Sequence, residues 1–149
     1  MIDQILADHN QFTFRASDHF RWSPLTGTIH FDQHNLDHIS GVWSLLHELG
    51  HALLGHKGYD TDIDLLKLER AAWDKAVELS RGYGFSVEED HIEDCMDTYR
   101  DWLKVRSTCP DCDNVSLQTE PTIYRCFNCG CSWQVSDSPI CQVQRRKVS

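Results

Sequence analysis

Leu45-Leu46-His47-Glu48-Leu49-Gly50-His51-Ala52-Leu53-Leu54 is the stretch on which the reading of this chain turns. Two histidines four residues apart share one face of an α-helix, near enough for both imidazoles to reach a single ion. The glutamate after the first histidine is placed to hold and deprotonate a water on that ion. Trp43, Leu45, Leu46, Leu49, Ala52, Leu53 and Leu54 make the helix mostly apolar and therefore mostly buried. Two histidines and a glutamate inside such a helix need partners to offset their desolvation. The pattern points to His47 and His51 as metal ligands and to Glu48 as a general base.

Downstream, Gly55 and Gly58 supply the helix stop. A second helix is predicted from Thr61 or Asp62 to about Ser80, with Leu65, Leu66, Ala72, Trp73, Ala76 and Leu79 on one stripe. Glu69 falls on that stripe, eighteen residues beyond His51. A carboxylate facing a core must be paired or bound to metal, so Glu69 is the expected third ligand. His56 is its rival. Five positions beyond His51 it would sit about 140° round the axis and face away, unless Gly55 ends the helix and turns the chain back. Asp60, Asp62 and Asp64 favour a helix N-terminus. By residue type alone, His91 and Tyr83 are candidates to stabilise an oxyanion, while His9, His19, His34 and His38 read as solvated.

Upstream, residues 1–14 read as a short helix or a loosely packed arm. Phe12-Thr13-Phe14-Arg15 alternates as a half-buried strand does. Phe20-Arg21-Trp22 and Thr28-Ile29-His30-Phe31 flank the breaker Ser23-Pro24-Leu25-Thr26-Gly27, which reads as a hairpin. The metal-motif helix is expected from about Gly41 to Leu54, with Asp37 or Ser40 as its N-cap. Ser86-Val87-Glu88-Glu89 has the form of a capping box opening a third helix to about Val105. Ile92, Cys95, Met96, Tyr99, Trp102 and Leu103 form its apolar stripe.

The remainder has another character. Cys109-Pro110-Asp111-Cys112 and Cys126-Phe127-Asn128-Cys129 are separated by thirteen residues. Two such knuckles on short hairpins make a four-thiolate zinc site. A module of about 30 residues cannot bury enough core to fold alone, so metal binding would be its folding energy. Cys131 is a further thiol nearby that could substitute for a neighbour, and Cys141 reads as free in the tail. The expected organisation is a catalytic domain over 1–106, a zinc ribbon over 107–136 and a flexible tail over 137–149.

The chain has 149 residues, 40% of them hydrophobic, with five Trp, six Phe and four Tyr, enough apolar material for a real core. A formal net charge of -9 argues against non-specific adhesion to nucleic acid or anionic membrane over the whole surface, though Arg145, Arg146 and Lys147 cluster locally. No stretch approaches the roughly 18 consecutive apolar residues of a membrane span. The first eight residues lack the basic and apolar regions of a secretory signal. Seven cysteines, four of them in Cys-x-x-Cys pairs, suit metal binding in a reducing compartment, so a cytoplasmic location is expected.

His47-Glu48-Leu49-Gly50-His51 followed by Glu69 resembles the active-site helix of ImmA/IrrE-type and related small gluzincin metallopeptidases. The resemblance covers roughly residues 12–80. It implies an α+β fold, a small antiparallel sheet packed on a zincin helix, with Thr28–Phe31 as the edge strand that takes an extended peptide. A protease core followed by a zinc ribbon also resembles SprT-like proteases acting on DNA-bound proteins, although the His-Gly motif of that family has no counterpart here. In WLM-type proteases a third histidine follows close after the motif; His56 stands one residue short of that spacing. The expected function is a zinc-dependent endopeptidase: one catalytic zinc on His47, His51 and Glu69, one structural zinc on Cys109, Cys112, Cys126 and Cys129. A protein or peptide would be the substrate, and the ribbon would recruit a protein or nucleic-acid partner, with no membrane. The alternative is a non-catalytic zinc-stabilised regulator or binding module.

Overall fold

The computed structural model describes residues 1–137 and 142–148; Cys141 lies outside them. The elements, in chain order, are α1 (Ile2–Asp8), β1 (Thr13–Ser17), β2 (Arg21–Ser23), β3 (Thr28–Asp32), α2 (Ile39–Leu53), α3 (Asp62–Gly82), α4 (Glu89–Ser107), β4 (Leu117–Glu120), β5 (Ile123–Arg125), β6 (Ser132–Val135) and β7 (Arg145–Val148). The fold is α+β. The chain divides into two units, one of residues 1–58 and 67–92, the other of residues 59–66 and 93–149.

In the first unit the strand order is β1-β3-β2. Gly27, at φ +63°, lets the short turn reverse the chain, and β2 pairs antiparallel with β3 through Trp22↔Ile29. The expected hairpin forms, but the wholly antiparallel sheet does not. β1 runs parallel to β3, from Thr13↔Thr28 to Ser17↔Asp32. Because β2 has taken one edge of β3, the chain entering through β1 can pair only along the other. This also corrects the edge-strand expectation: Thr28–Phe31 belongs to the central strand, and the edges are β1 and β2.

Period-two alternation places Phe14, Ile29 and Trp22 in one cross-strand row, with Ile29 fully buried. α2 packs on β2 and β3, and Val42, Trp43, Leu45, Leu46 and Leu49 are buried along it. Its N-cap is His38, with no side-chain cap bond, not Asp37 or Ser40. A 3-10 turn over Asn35–Asp37 delivers the chain there, and Gly41 allows it. A Cβ on Gly41 would lie 1.9 Å from the Asn35 carbonyl oxygen. The helix expected to open at the Ser86 capping box begins three residues later. α4 starts at Glu89, and the Ser86 carbonyl accepts the Trp43 indole N–H at 3.1 Å.

The second unit holds an antiparallel sheet ordered β4-β5-β6-β7. Tyr124↔Trp133 is a register pair, and the two rings stack at 5.7 Å over a core that includes Cys109, Cys126 and Val135. Residues 145–148, read from sequence as tail, form β7 on the β6 edge. Asp62 is only 2% exposed and Arg106 only 3%. The Arg106 Nε donates to Asp62 at 2.7 Å, and the Tyr124 hydroxyl donates to the same carboxylate at 2.6 Å. The Trp133 indole donates to the Arg106 carbonyl at 2.8 Å. Among the described residues no helix is long and apolar enough to cross a membrane.

Candidate metal centres

His47 and His51 lie one helical turn apart on α2, and Glu69 reaches them from α3. Gly50 permits that approach. A Cβ there would stand 2.5 Å from the carbonyl oxygen of Ala72, so α3 lies against bare backbone one turn beyond Glu69. His47 Nε2 is 3.0 Å from a Glu69 oxygen and 3.1 Å from His51 Nε2, and the other Glu69 oxygen is 3.4 Å from His51 Nε2. Donors at ~2.0–2.1 Å from a tetrahedral ion stand about 3.3 Å apart. The separations, taken to the two oxygens of one carboxylate, are of that order, and one donor atom from each residue falls within 4.8 Å of the others, so this group could hold a metal ion. Burial alone would raise the Glu69 carboxyl, but hydrogen bonds and charge from His47 and His51 outweigh it and hold it at about 2. It is an anion ready for a cation.

The outer faces of the two imidazoles differ. His47 stacks on Trp73, ring centroids 4.3 Å apart, and its buried Nδ1 has no hydrogen-bond partner among the described residues. His51 Nδ1 is 2.8 Å from His56 Nδ1. Gly55 ends α2 at φ +69°, with its N–H on the Ala52 carbonyl and the His56 N–H on the His51 carbonyl. Those two bonds are a Schellman turn. The turn brings His56 back to the far nitrogen of His51, not to the side facing Glu69. Burial, then the adjacent His51, keeps the His56 imidazole below its usual pKa.

Glu48 faces β2, where its carboxylate accepts the Trp22 backbone N–H at 2.7 Å. The Trp22 indole donates to the His56 carbonyl at 2.8 Å. Sequence reasoning missed Trp22. These bonds span 26 and 34 residues, and no local pattern signals them. Of the two oxyanion candidates, the Tyr83 hydroxyl donates to Asp8 at 3.0 Å, and His91 packs on the rings of Trp43 and Trp73, the latter also the stacking partner of His47.

In the second unit Cys109, Cys112, Cys126 and Cys129 converge, all four sulfurs within 4.8 Å of one another. The pairs Cys109/Cys129 and Cys112/Cys126 stand 3.6 and 3.5 Å apart. A tetrahedral ion with ~2.3 Å bonds to sulfur asks for about 3.8 Å, so this group too could hold a metal. The knuckles repeat one geometry. Asp113 at φ 62° and Gly130 at φ 78° each follow the second cysteine. Their N–H groups return to the carbonyls of Cys109 and Cys126 at 3.0 and 3.1 Å. Asp111 N–H points at Cys109 Sγ, and Asn128 N–H at Cys126 Sγ, both at 3.4 Å. The Ser116 hydroxyl, with the knuckle N–H groups, brings the Cys126 thiol down to about 6. Cys131 packs beside this core outside the four-sulfur group, its thiol pushed up to about 11 by burial and by Asp111.

No family model matches the chain, and comparison with curated proteins and with solved structures finds no match.

Proposed function

We propose that the chain is a zinc-dependent metallopeptidase. The observation that carries this reading is the convergence of His47, His51 and Glu69 within reach of one ion, with Glu48 on the turn of α2 between the two histidines. Zinc in that group would supply a Lewis acid toward water and the scissile carbonyl. Glu48 is the base that takes the water proton and hands it to the departing amine. His and Glu ligation suits zinc, and three protein ligands leave a fourth position open, as catalytic sites require. The four cysteines are a closed structural site by the same rule. The likeness to ImmA/IrrE-type metallopeptidases rests on these residues. With β3 in the centre, β2 is the edge that runs beside Glu48, and it is the strand along which an extended substrate segment would lie.

One observation favours the non-catalytic reading. Glu48 is engaged by the Trp22 N–H, which a purely structural glutamate would also do. Glu48→Gln separates the two, because the amide oxygen keeps that bond while the base is lost. Peptidase activity that disappears in Glu48→Gln at unchanged metal content supports catalysis; function that survives the change refutes it. Elemental analysis comes first: two zincs per chain in wild type, one in His47→Ala and one in Cys129→Ser. A single zinc, lost only in Cys129→Ser, removes the peptidase reading.

A further inference from the structure

We propose that His56 is a positioning residue for the first metal centre, holding His51 in its ligating orientation, and that the Trp22 side chain fixes His56 in turn. The inference rests on reading His47, His51 and Glu69 as a metal centre. For His51 Nε2 to offer its lone pair to an ion, the ring proton must sit on Nδ1, and that proton needs an acceptor. The group at that position is His56 Nδ1, 2.8 Å away. Proton accounting then assigns the tautomers. His51 carries its proton on Nδ1 and donates it; His56 receives it on a bare Nδ1 and keeps its own proton on Nε2. Outer partners of this kind orient a ligating imidazole and raise its basicity. The two ligating histidines are therefore unequal, since His47 Nδ1 has no hydrogen-bond partner among the described residues and its ring is held by stacking on Trp73.

Backbone contacts place His56 at this post. The Schellman turn at Gly55 sets its backbone, and the Trp22 indole N–H grips its carbonyl at 2.8 Å. Trp22 is itself braced by a T-shaped ring contact with Phe12, centroids 5.5 Å apart. One residue on β2 thus touches Glu48 through its backbone N–H and reaches His51 through His56. Base and ligand are registered to the same strand.

The test is metal affinity in the full-length chain, measured with Zn²⁺ against a competing chelator and with Co²⁺ by its visible absorption. The four-cysteine site serves as internal control. His56→Ala should weaken the first site about 10- to 100-fold, the range for lost outer partners. His56→Asn places an amide oxygen near the former Nδ1 and should recover most of that loss. Trp22→Phe keeps an aromatic ring but removes the indole N–H, and should cost about fivefold, the worth of one neutral hydrogen bond. An unchanged first-site affinity in His56→Ala overturns the proposal, as does His56→Asn behaving like His56→Ala. Wild type holding metal only on the cysteines would refute the metal-centre reading and this inference with it. Wild type holding two ions while His56→Ala keeps full affinity would refute the inference alone.

Discussion

Gly50→Ala separates packing from ligation at the first centre. The added Cβ would meet the Ala72 carbonyl oxygen at 2.5 Å, so α3 must retreat by at least 0.5 Å to reach 3.0 Å, and by 0.9 Å to reach ordinary contact at 3.4 Å. Overpacking of this kind costs about 1–3 kcal/mol. Replacing a helical glycine by alanine returns about 0.8–1.0 kcal/mol, so the net loss of stability is about 0–2 kcal/mol. Metal binding is far less tolerant. Glu69 sits one turn before Ala72 on the same helix, and ligand distances are good only within ~0.2 Å. A shift of 0.5 Å in α3 therefore displaces the carboxylate beyond that tolerance. We expect first-site affinity to fall by about 100-fold or more, above the loss caused by an outer partner. Chelator competition reads the affinity and urea unfolding of the metal-free chain reads the stability. Gly82→Ala is the control, since nothing lies within 4 Å of its added Cβ, and it should be neutral or stabilising. Wild-type metal affinity in Gly50→Ala would refute the claim that the α2–α3 approach places Glu69.

Arg106→Met leaves the Asp62 carboxylate buried without its cation, Asp62 being 2% exposed, and should cost about 3–5 kcal/mol by urea unfolding. Three tyrosines should resist alkaline titration followed by phenolate absorbance. Burial and Asp8 push Tyr83 to about 12, while burial and Asp62 raise Tyr59 and Tyr124 above their usual value. Because these folded values are raised, the stability they contribute is intact below pH ~10 and is lost as pH climbs through the folded values; normal titration of all three would contradict the structure. Gly130→Ala forces a side chain into a backbone at φ 78° and should cost about 1–2 kcal/mol while weakening cysteine-site metal affinity. Asp113→Gly, at the matching position of the other knuckle, should be neutral or better. Chelation of metal from the cysteine site should abolish the near-ultraviolet dichroism of the stacked Tyr124–Trp133 pair.

What could be read from the chain alone is what short spacing controls. An i, i+4 histidine pair must share a helix face, and two Cys-x-x-Cys knuckles must each present two sulfurs to one point. The hairpin around Pro24 and Gly27 and the limits of α3 are likewise local. So was the apolar stripe that carries Glu69, which is why that residue could be named before its distance to His47 was known. The rest depended on long-range pairing. Nothing in Thr28–Phe31 tells a central strand from an edge strand, because both alternate with period two; only β1 and β2 occupying its two sides decided that. α4 opens at Glu89 and not next to Ser86, whose carbonyl is taken by Trp43 from 43 residues away. For His56 the sequence leaves two courses open, facing away on a continued helix or turned back by Gly55; the left-handed Gly55 takes the second and sets it at the far side of His51. Asp62 looked like an ordinary helix-start acid and turned out to anchor a buried pair with Arg106, 44 residues on. A sequence specifies which groups can bond within a turn or two; which distant partner takes up each remaining donor and acceptor is settled only when the chain has packed and every buried polar group must be satisfied.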